Sequence, residues 1–179
     1  ERLSLRRLMP RLAEATKDDK KHLPWLKLAR FGNERTDKNS LRHNANVLGI
    51  SGVEGDYDHE ITTVDEACEI VRAAGLAAVV YTSPSHTEDA PRWRVLCPLS
   101  RDYDAAERDA MIARLNGVFR GALSDESHTL SQSYYYGSVK RSPSHRVEIV
   151  DGDYLDRRAD LDASAVGRPK SVPPVARDA

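Results

Sequence analysis

Cysteine and long apolar runs are both scarce in this chain. Only two cysteines occur, Cys68 and Cys97, and each stands inside an apolar stretch without the spacing of a metal-ligand pair. We therefore expect both to be free thiols in the core. No apolar run approaches the roughly 20 residues that a membrane span requires, and no signal peptide stands at the front. The expected location is the cytoplasm, with no membrane partner.

An excess of charge of one sign is also missing, since the formal net charge is -1. A chain with so little net charge has no overall attraction for nucleic acid, so any binding to phosphates must come from a local patch. Residues 1–42 concentrate arginine and lysine, whereas acidic residues crowd the middle and the end of the chain. This basic segment is typical either of a phosphate-binding patch or of a solvated helical face.

The length of 179 residues suits one domain of ordinary size. Hydrophobic residues make up 40% and charged residues 31%, which is typical of soluble globular proteins. We expect a helical, basic segment over 1–44 packed on a core over 45–156, followed by a linker or tail over 157–179. Because the chain begins at Glu1 and ends in a Pro-rich stretch, we expect it to be a piece of a longer polypeptide.

Hydrophobic periodicity predicts two strong helices within the core. Thr63 and Glu66 form a capping-box signature ahead of an apolar stripe, and a second stripe with helical spacing lies within 102–122. β-rich runs around these helices predict the order β-α-β-β-α-β-β. That order is typical of an α+β fold, a split βαβ sheet with helices on one face. A helix over 3–15, interrupted or restarted at Pro10, precedes it.

Three carboxylates stand at alternate positions at the end of the first core strand. Glu54, Asp56 and Asp58 would project from the same face of that strand. Like charges that close repel one another unless a cation lies between them, and Mg²⁺ or Mn²⁺ suits oxygen ligands. Two such ions about 4 Å apart can activate a 3′-hydroxyl and stabilise a leaving pyrophosphate. The alternative is an acidic turn on the surface.

A second cluster lies in the predicted hairpin that follows. Ser83, Ser85 and His86 precede Arg92 and Arg94, and both arginines fall on one face of the returning strand. Hydroxyls, imidazole and guanidinium groups together suit a bound triphosphate. The alternative interpretation is an ordinary loop histidine beside a row of surface salt bridges.

A third segment mixes polar and aromatic side chains over 130–137. Its tyrosines, including Tyr135, suit stacking on a base or closure over a sugar, and they equally suit a half-buried sheet face. Glu148 stands on a later strand and could supply a third metal carboxylate, with Asp125 and Glu126 as weaker candidates.

These motifs, in this order, resemble the archaeo-eukaryotic primase superfamily, in its phage and plasmid RepB-like branch. The family pattern is an Asp-x-Asp at a strand end, a Ser-x-His on a later strand and then a third acidic residue. The corresponding segments are Gly52-Val-Glu-Gly-Asp-Tyr-Asp58, Thr82-Ser-Pro-Ser-His86 with Arg92-Trp-Arg-Val95, and Ser131-Gln-Ser-Tyr-Tyr-Tyr-Gly137. The last of these segments contains no carboxylate, which is why Glu148 is the third candidate.

The resemblance implies an RRM-like catalytic core for a DNA primase-polymerase. Such a nucleotidyltransferase uses two divalent ions and ribo- or deoxyribonucleoside triphosphates on a single-stranded DNA template. Carried over by position, Asp56 and Asp58 would bind metal and His86 would contact the triphosphate in catalysis. The C-terminal tail leads us to expect a downstream helicase or primase C-terminal domain, with a helicase in the same or a partner polypeptide as the replication partner.

The polar segment 35–43 supplies a candidate template contact through Lys38, Arg42 and His43. Two other classes of protein remain open. A rolling-circle initiator or relaxase shares the sheet topology and needs a tyrosine nucleophile with a histidine-bound metal, but the chain has no His-x-His pair. A non-catalytic single-strand binding module needs the aromatic and basic residues without the acidic cluster.

Overall fold

Residues 4–168 are described by a computed structural model. Its α-helices are α1 (Leu5–Glu14), α2 (Val64–Ala73) and α3 (Arg108–Val118). Its strands are β1 (Thr16–Lys17), β2 (Trp25–Leu26), β3 (Ala29–Phe31), β4 (Val47–Tyr57), β5 (Ala78–Thr82), β6 (Trp93–Tyr103), β7 (Tyr134–Tyr135), β8 (Ser138–Val139) and β9 (Val147–Val150). The fold is α+β, as predicted. Within 4–168, no helix has the length and apolarity needed to cross a bilayer.

One five-stranded sheet forms the centre, in the order β3-β4-β6-β5-β9. β6 pairs antiparallel with both β4 and β5, so those two strands run parallel to each other with β6 between them. Helix α2 connects them, which is the split βαβ arrangement expected from the sequence. Two edge strands complete the sheet, with β3 beside β4 and β9 beside β5.

The two faces of this sheet bury different sets of apolar side chains. Alternate residues of β6, from Trp93 through Val95 to Leu99, pack with α2 and α3 in the main core. Leu96 points the other way and packs with Leu8 and Leu12 of α1. The free thiols of both cysteines are buried, as predicted. One face is therefore covered by two helices, and the other by α1 and the segments that follow it.

The N-terminal segment packs on the core but is mostly not helical. Helix α1 continues through Pro10 without a break, so the predicted interruption there is wrong. Residues 15–44 hold the short strands β1, β2 and β3, because these pair with β8, β7 and β4 rather than forming local helical bonds. Extended backbone from distant parts of the chain thus replaces the expected helix.

The second core helix is shorter than predicted at both ends. β6 remains paired with β4 as far as Tyr103, so α3 begins only at Arg108. Arg120 and Gly121 then adopt positive φ values of 55° and 83°, which are incompatible with further right-handed helix.

The start of the predicted linker packs against α3. The Val166 amide donates to the Ala113 carbonyl at 2.9 Å. At Gly117 an added Cβ would lie 2.1 Å from the Ser164 carbonyl oxygen, so the close approach requires glycine. Residues 157–168 therefore lie against the core, and 169–179 of the predicted tail lie outside the described residues.

The capping box at α2 generates a stability prediction. The Thr63 hydroxyl accepts from the Glu66 amide at 3.2 Å, and the Glu66 carboxylate accepts from the Thr63 amide at 2.7 Å. Thr63→Ala should lower the free energy of unfolding by about 1 kcal/mol in urea titrations. Thr62→Ala is the control, since the bonds made by Thr62 use only its backbone. If both variants lost the same free energy of unfolding, the stabilising role of the Thr63 cap would be contradicted.

Candidate active site

The acidic end of β4 faces away from α2 and α3. In the β4–β6 pairing, Glu54 lies opposite Leu96 and Asp56 lies opposite Arg94, so all four side chains share the face that α1 partly covers. An added Cβ at Gly52 would lie 2.4 Å from Leu28 Cδ1. Glycine at this position lets the chain after β2 approach the sheet beside the acidic residues.

Glu54 is fully buried within a closed charge cluster. Lys27 Nζ donates to its Oε2 at 2.6 Å, and Arg108 Nη2 donates to the same oxygen at 3.2 Å. The Leu28 amide donates to Oε1. Burial alone would raise the pKa of Glu54, but the two cations outweigh it and hold that pKa below its usual value. With both oxygens engaged, Glu54 does not suit the metal-ligand role expected from its spacing.

The same cluster contains two cations for one carboxylate. Burial lowers the pKa of Lys27 and the neighbouring Arg108 lowers it further, while Glu54 opposes both effects. Arg108 also donates to the Ser127 carbonyl at 2.8 Å, which ties α3 to the turn beside the end of β4. The cluster therefore helps to hold the end of β4 in position.

Asp56 and Asp58 form a closely spaced carboxylate pair. Asp56 is only 5% exposed and accepts from Arg94 Nε at 2.6 Å, whereas Asp58 is exposed. Burial raises the pKa of Asp56, Arg94 opposes this, and the negative charge of Asp58 raises that pKa further. A divalent cation between the two carboxylates would remove this repulsion.

The donor set of this pair fits one hard cation. Magnesium is commonly held by one or two carboxylates, with water and substrate phosphates completing its shell. Across residues 4–168, no group of three His, Cys, Asp or Glu side chains is placed to hold a metal. Asp56 and Asp58 are thus two carboxylates that could together contact one such cation, and no third side chain of these types joins them within 4–168.

Glu148 does not join these carboxylates. It lies opposite Val80 in the β5–β9 pairing, and Val80 belongs to the core beneath the helices. Glu148 Oε1 accepts from Arg146 Nη2 at 3.0 Å. The expectation that Glu148 supplies the third ligand is wrong, because this side chain lies on the opposite face of the sheet.

Within residues 4–168, the two weaker candidates for the third carboxylate do not complete a three-ligand group with Asp56 and Asp58. Asp125 and Glu126 belong to the exposed start of a 3₁₀ turn, Asp125–His128. This turn contacts β4 through Ser127, whose hydroxyl accepts from the Asp56 amide at 2.9 Å. Its contribution to the site is therefore to hold the end of β4.

Arg94 joins the carboxylate pair to the third predicted segment. Its Nη1 atom donates to the Tyr135 carbonyl at 2.5 Å, and its guanidinium carbon lies 4.9 Å from the centroid of the Tyr134 ring. Strand β7, which carries both tyrosines, pairs with β2 through Tyr135 and Trp25. Asp56, Arg94 and Tyr135 are thus brought together, but Arg94, which was predicted to donate to a triphosphate, is buried and donates to Asp56 and Tyr135 instead.

The predicted phosphate donors of the hairpin lie beside a lysine that the motif search missed. Lys20 Nζ donates to the Ser85 hydroxyl at 3.1 Å, and the Ser85 amide donates to the Ser83 hydroxyl at 3.3 Å. Lys20 lies more than sixty positions away in the chain. Its only sequence signal is membership of the basic N-terminal segment.

His86 and Arg92 have partners of their own in the hairpin. His86 Nδ1 accepts from the Arg92 amide at 3.1 Å, and the ring faces a small cleft shared with Ser138 and His145. Burial lowers the pKa of His86, and the charge of Arg146 adds to this effect. The Arg92 guanidinium pairs with Glu60 in a half-exposed salt bridge. Among the described residues, neither side chain hydrogen-bonds to Asp56, but Arg92 lies within the field of the carboxylate pair: Glu60 raises the pKa of Arg92, and the charges of Asp58 and Asp56 add to this.

The predicted template segment meets the site through Arg42. Its guanidinium carbon lies 4.2 Å from the Trp25 ring centroid. Lys38 is exposed, and His43 Nε2 lies 3.1 Å from the Glu34 carbonyl oxygen. Of these three residues, Arg42 is the one that contacts the aromatic groups beside Arg94.

Comparison with known proteins adds one partial likeness. No family model matches the chain, and neither does any curated protein. A solved structure, the AEP domain of the cyanophage S-2L primase-polymerase, aligns with 69% of this chain at 10% identity and a TM-score of 0.48. The alignment spans 64% of that solved chain. An identity and a TM-score of this size show neither a shared family nor a shared activity.

Because Glu54 lies in a buried charge cluster, neutralising it should strongly destabilise the fold. Glu54→Gln leaves Lys27 and Arg108 buried without a countercharge and should cost about 3–5 kcal/mol of unfolding free energy near neutral pH. The matched control, Glu60→Gln, breaks a half-exposed pair and should cost under about 1 kcal/mol. Equal costs would contradict the cluster.

This stabilisation also has a definite pH dependence. Because the pKa of Glu54 is lowered on folding, its contribution is present above the ordinary glutamate pKa and is lost as pH falls through the lowered value. Urea titrations at a series of acidic pH values should therefore show that the free energy of unfolding of the wild type decreases as the pH falls. Glu54→Gln should lack this decrease.

The carboxylate repulsion predicts that Asp58→Asn stabilises the metal-free protein. Removing this charge should lower the pKa of Asp56 and raise the free energy of unfolding near neutral pH by roughly 0.5 kcal/mol. NMR titration of the Asp56 carboxyl carbon and urea unfolding in chelator would measure both effects. Asp37→Asn, an exposed control for the loss of one negative charge, should change neither. An unchanged Asp56 pKa in Asp58→Asn would show that the carboxylates do not interact.

Proposed function

We propose that this chain is a primase-polymerase domain that joins nucleotides on a single-stranded DNA template. The observation that carries the proposal is the carboxylate pair of Asp56 and Asp58 at a strand end, with Asp56 bound to the buried Arg94. The β4-α2-β5-β6 order, with β6 between β4 and β5, supports assignment of the core as RRM-like. Replication of phage or plasmid DNA, together with a helicase domain, is the proposed setting.

In this proposal Asp56 and Asp58 hold a divalent cation. When bound, Mg²⁺ or Mn²⁺ neutralises phosphate charge and favours ionisation of an attacking 3′-hydroxyl. Arg94 fixes the orientation of Asp56 through the bond to Oδ1. Glu54 holds no metal here, because Lys27, Arg108 and a backbone amide engage it.

The triphosphate would lie beside the hairpin donors. Lys20 supplies positive charge next to the hydroxyls of Ser83 and Ser85, and phosphate oxygens accept strongly from such groups. His86 keeps its Nδ1 atom on the Arg92 amide, so we propose that Nε2 is the ring atom directed to the nucleotide. Arg92 could exchange its half-exposed Glu60 partner for a phosphate.

A non-catalytic single-strand binding module is the second candidate. The exposed Trp25 ring and the adjacent Arg42 favour it, since such a module needs aromatic and basic groups without an acidic pair. A relaxase receives less support. The sequence has no His-x-His pair to bind its metal.

The carboxylate pair predicts which variants lose synthesis. Asp56→Asn and Asp58→Asn should each reduce metal-dependent incorporation of labelled nucleotide on a primed single strand at least a hundredfold, while template binding persists or strengthens. Glu148→Gln is the matched control and should retain synthesis, because its side chain lies on the other face of the sheet.

The three outcomes separate the candidate functions. Wild-type binding to single strands without any incorporation would favour the binding module. A covalent protein–DNA adduct would favour the relaxase. Incorporation that survives Asp58→Asn would contradict the proposed metal site.

A further inference from the structure

One large aromatic side chain beside the candidate active site is left open to solvent. The Trp25 side chain is 52% exposed, whereas Trp93, the other tryptophan of the chain, is fully buried in the main core. Isolated exposed apolar residues are common on protein surfaces. Trp25 differs because it lies among groups that contact the site.

Two neighbours hold the Trp25 ring in place. Its partner across β2 and β7 is Tyr135, whose ring meets it edge to face at 5.9 Å and an interplanar angle of 83°. The Arg42 guanidinium lies 4.2 Å from the Trp25 ring centroid. These three side chains, here called the aromatic surface, combine ring faces with a positive charge.

The aromatic surface is tied to the catalytic carboxylates by one side chain. Arg94 donates from Nη1 to the Tyr135 carbonyl and from Nε to Asp56. Any ligand stacked on Trp25 is therefore held in a defined relation to Asp56. A base bound there would be placed by the same residue that orients the proposed metal ligand.

We propose that Trp25 stacks on an unpaired base of the single-stranded template, with Arg42 contacting the adjoining phosphate. This inference rests on the proposed function and identifies where its template lies. Aromatic rings bind unpaired bases without sequence preference, and arginine adds both stacking and charge. A template strand supplies both base and backbone phosphate, whereas the triphosphate of a free nucleotide is assigned to Lys20 and Ser85.

Binding to a fluorescently labelled oligo-dT, followed by anisotropy, tests the inference on the full chain. Trp25→Ala should weaken binding about tenfold, and Trp25→Phe should restore it to within about threefold because a ring is retained. Leu48→Ala is the control, since Leu48 is equally exposed at 54% and lines a different cleft, beside Arg30 and Tyr103. Thermal unfolding of every variant should match the wild type.

Intrinsic fluorescence supplies an independent readout. Because Trp93 is buried, quenching by unlabelled oligo-dT should report Trp25 and should vanish in Trp25→Phe. Duplex DNA and free nucleoside triphosphate should quench much less, since the first has stacked bases and the second binds elsewhere. Stronger quenching by nucleotide than by oligo-dT would overturn the template assignment.

The outcomes separate this inference from the proposed function. If the wild type synthesises DNA and Trp25→Ala binds template equally well, the inference fails and the primase-polymerase proposal stands. If the wild type binds oligo-dT through Trp25 but incorporates no nucleotide, the stacking role stands and the enzymatic proposal fails. Loss of binding in both Trp25→Phe and Leu48→Ala would also overturn the inference.

Discussion

The arrangement of the site depends on one buried guanidinium, that of Arg94. It donates to Asp56 on the central sheet and to the Tyr135 carbonyl on β7, and it lies against the Tyr134 ring. A buried arginine is tolerated only when its donors and charge are satisfied. The carboxylate and β7 are therefore held by the same group: a shift of Asp56 would leave the charge unpaired, and a shift of β7 would leave a buried donor without its acceptor.

Two carboxylates on the same face of β4 have different environments, and this difference decides their roles. Glu54 lies between Lys27 and Arg108 and is held in its charged form. Burial raises the pKa of Asp56, and the like charge of Asp58 adds to this while Arg94 alone opposes it, so the charged form of Asp56 is less favourable. A satisfied carboxylate supports the fold, whereas one left next to a like charge gains most from an added cation. Local spacing alone cannot distinguish these cases.

Periodicity was sufficient for the parts of the fold that depend on neighbouring residues. It predicted α2 with its Thr63 cap, and it placed Glu54 and Asp56 on one face. Within β9, Glu148 faces away from the side of the sheet to which Val147 and Ile149 point. What periodicity could not tell is that Val147 and Ile149 pack beneath α1, on the face that carries the site. Glu148 therefore faces α2. The predicted ligand set was wrong because Glu148 lies on the face of the sheet opposite to Asp56.

The remaining features arise from contacts between distant segments. Lys27 reaches Glu54, Lys20 reaches Ser85 and Arg42 reaches Trp25 because residues 15–44 cross the sheet in short extended pieces. Strands of two residues have no periodicity to recognise. Their partners lie a hundred or more residues away, so their positions follow from the packing of the whole fold. This is why the basic segment was recognised by charge while its individual contacts were not.

The balance of charge around the site has a consequence for the order in which ligands bind. Three cations and three anions make up the two linked clusters: Lys27, Arg94, Arg108, Glu54, Asp56 and Asp58. Their charges sum to zero, yet the side chains of all three cations are buried and only Asp58 is exposed. Among these six side chains the exposed charge is therefore negative, which attracts a cation. Under the proposed function, the acidic pair therefore favours binding of a cation before, or together with, the triphosphate.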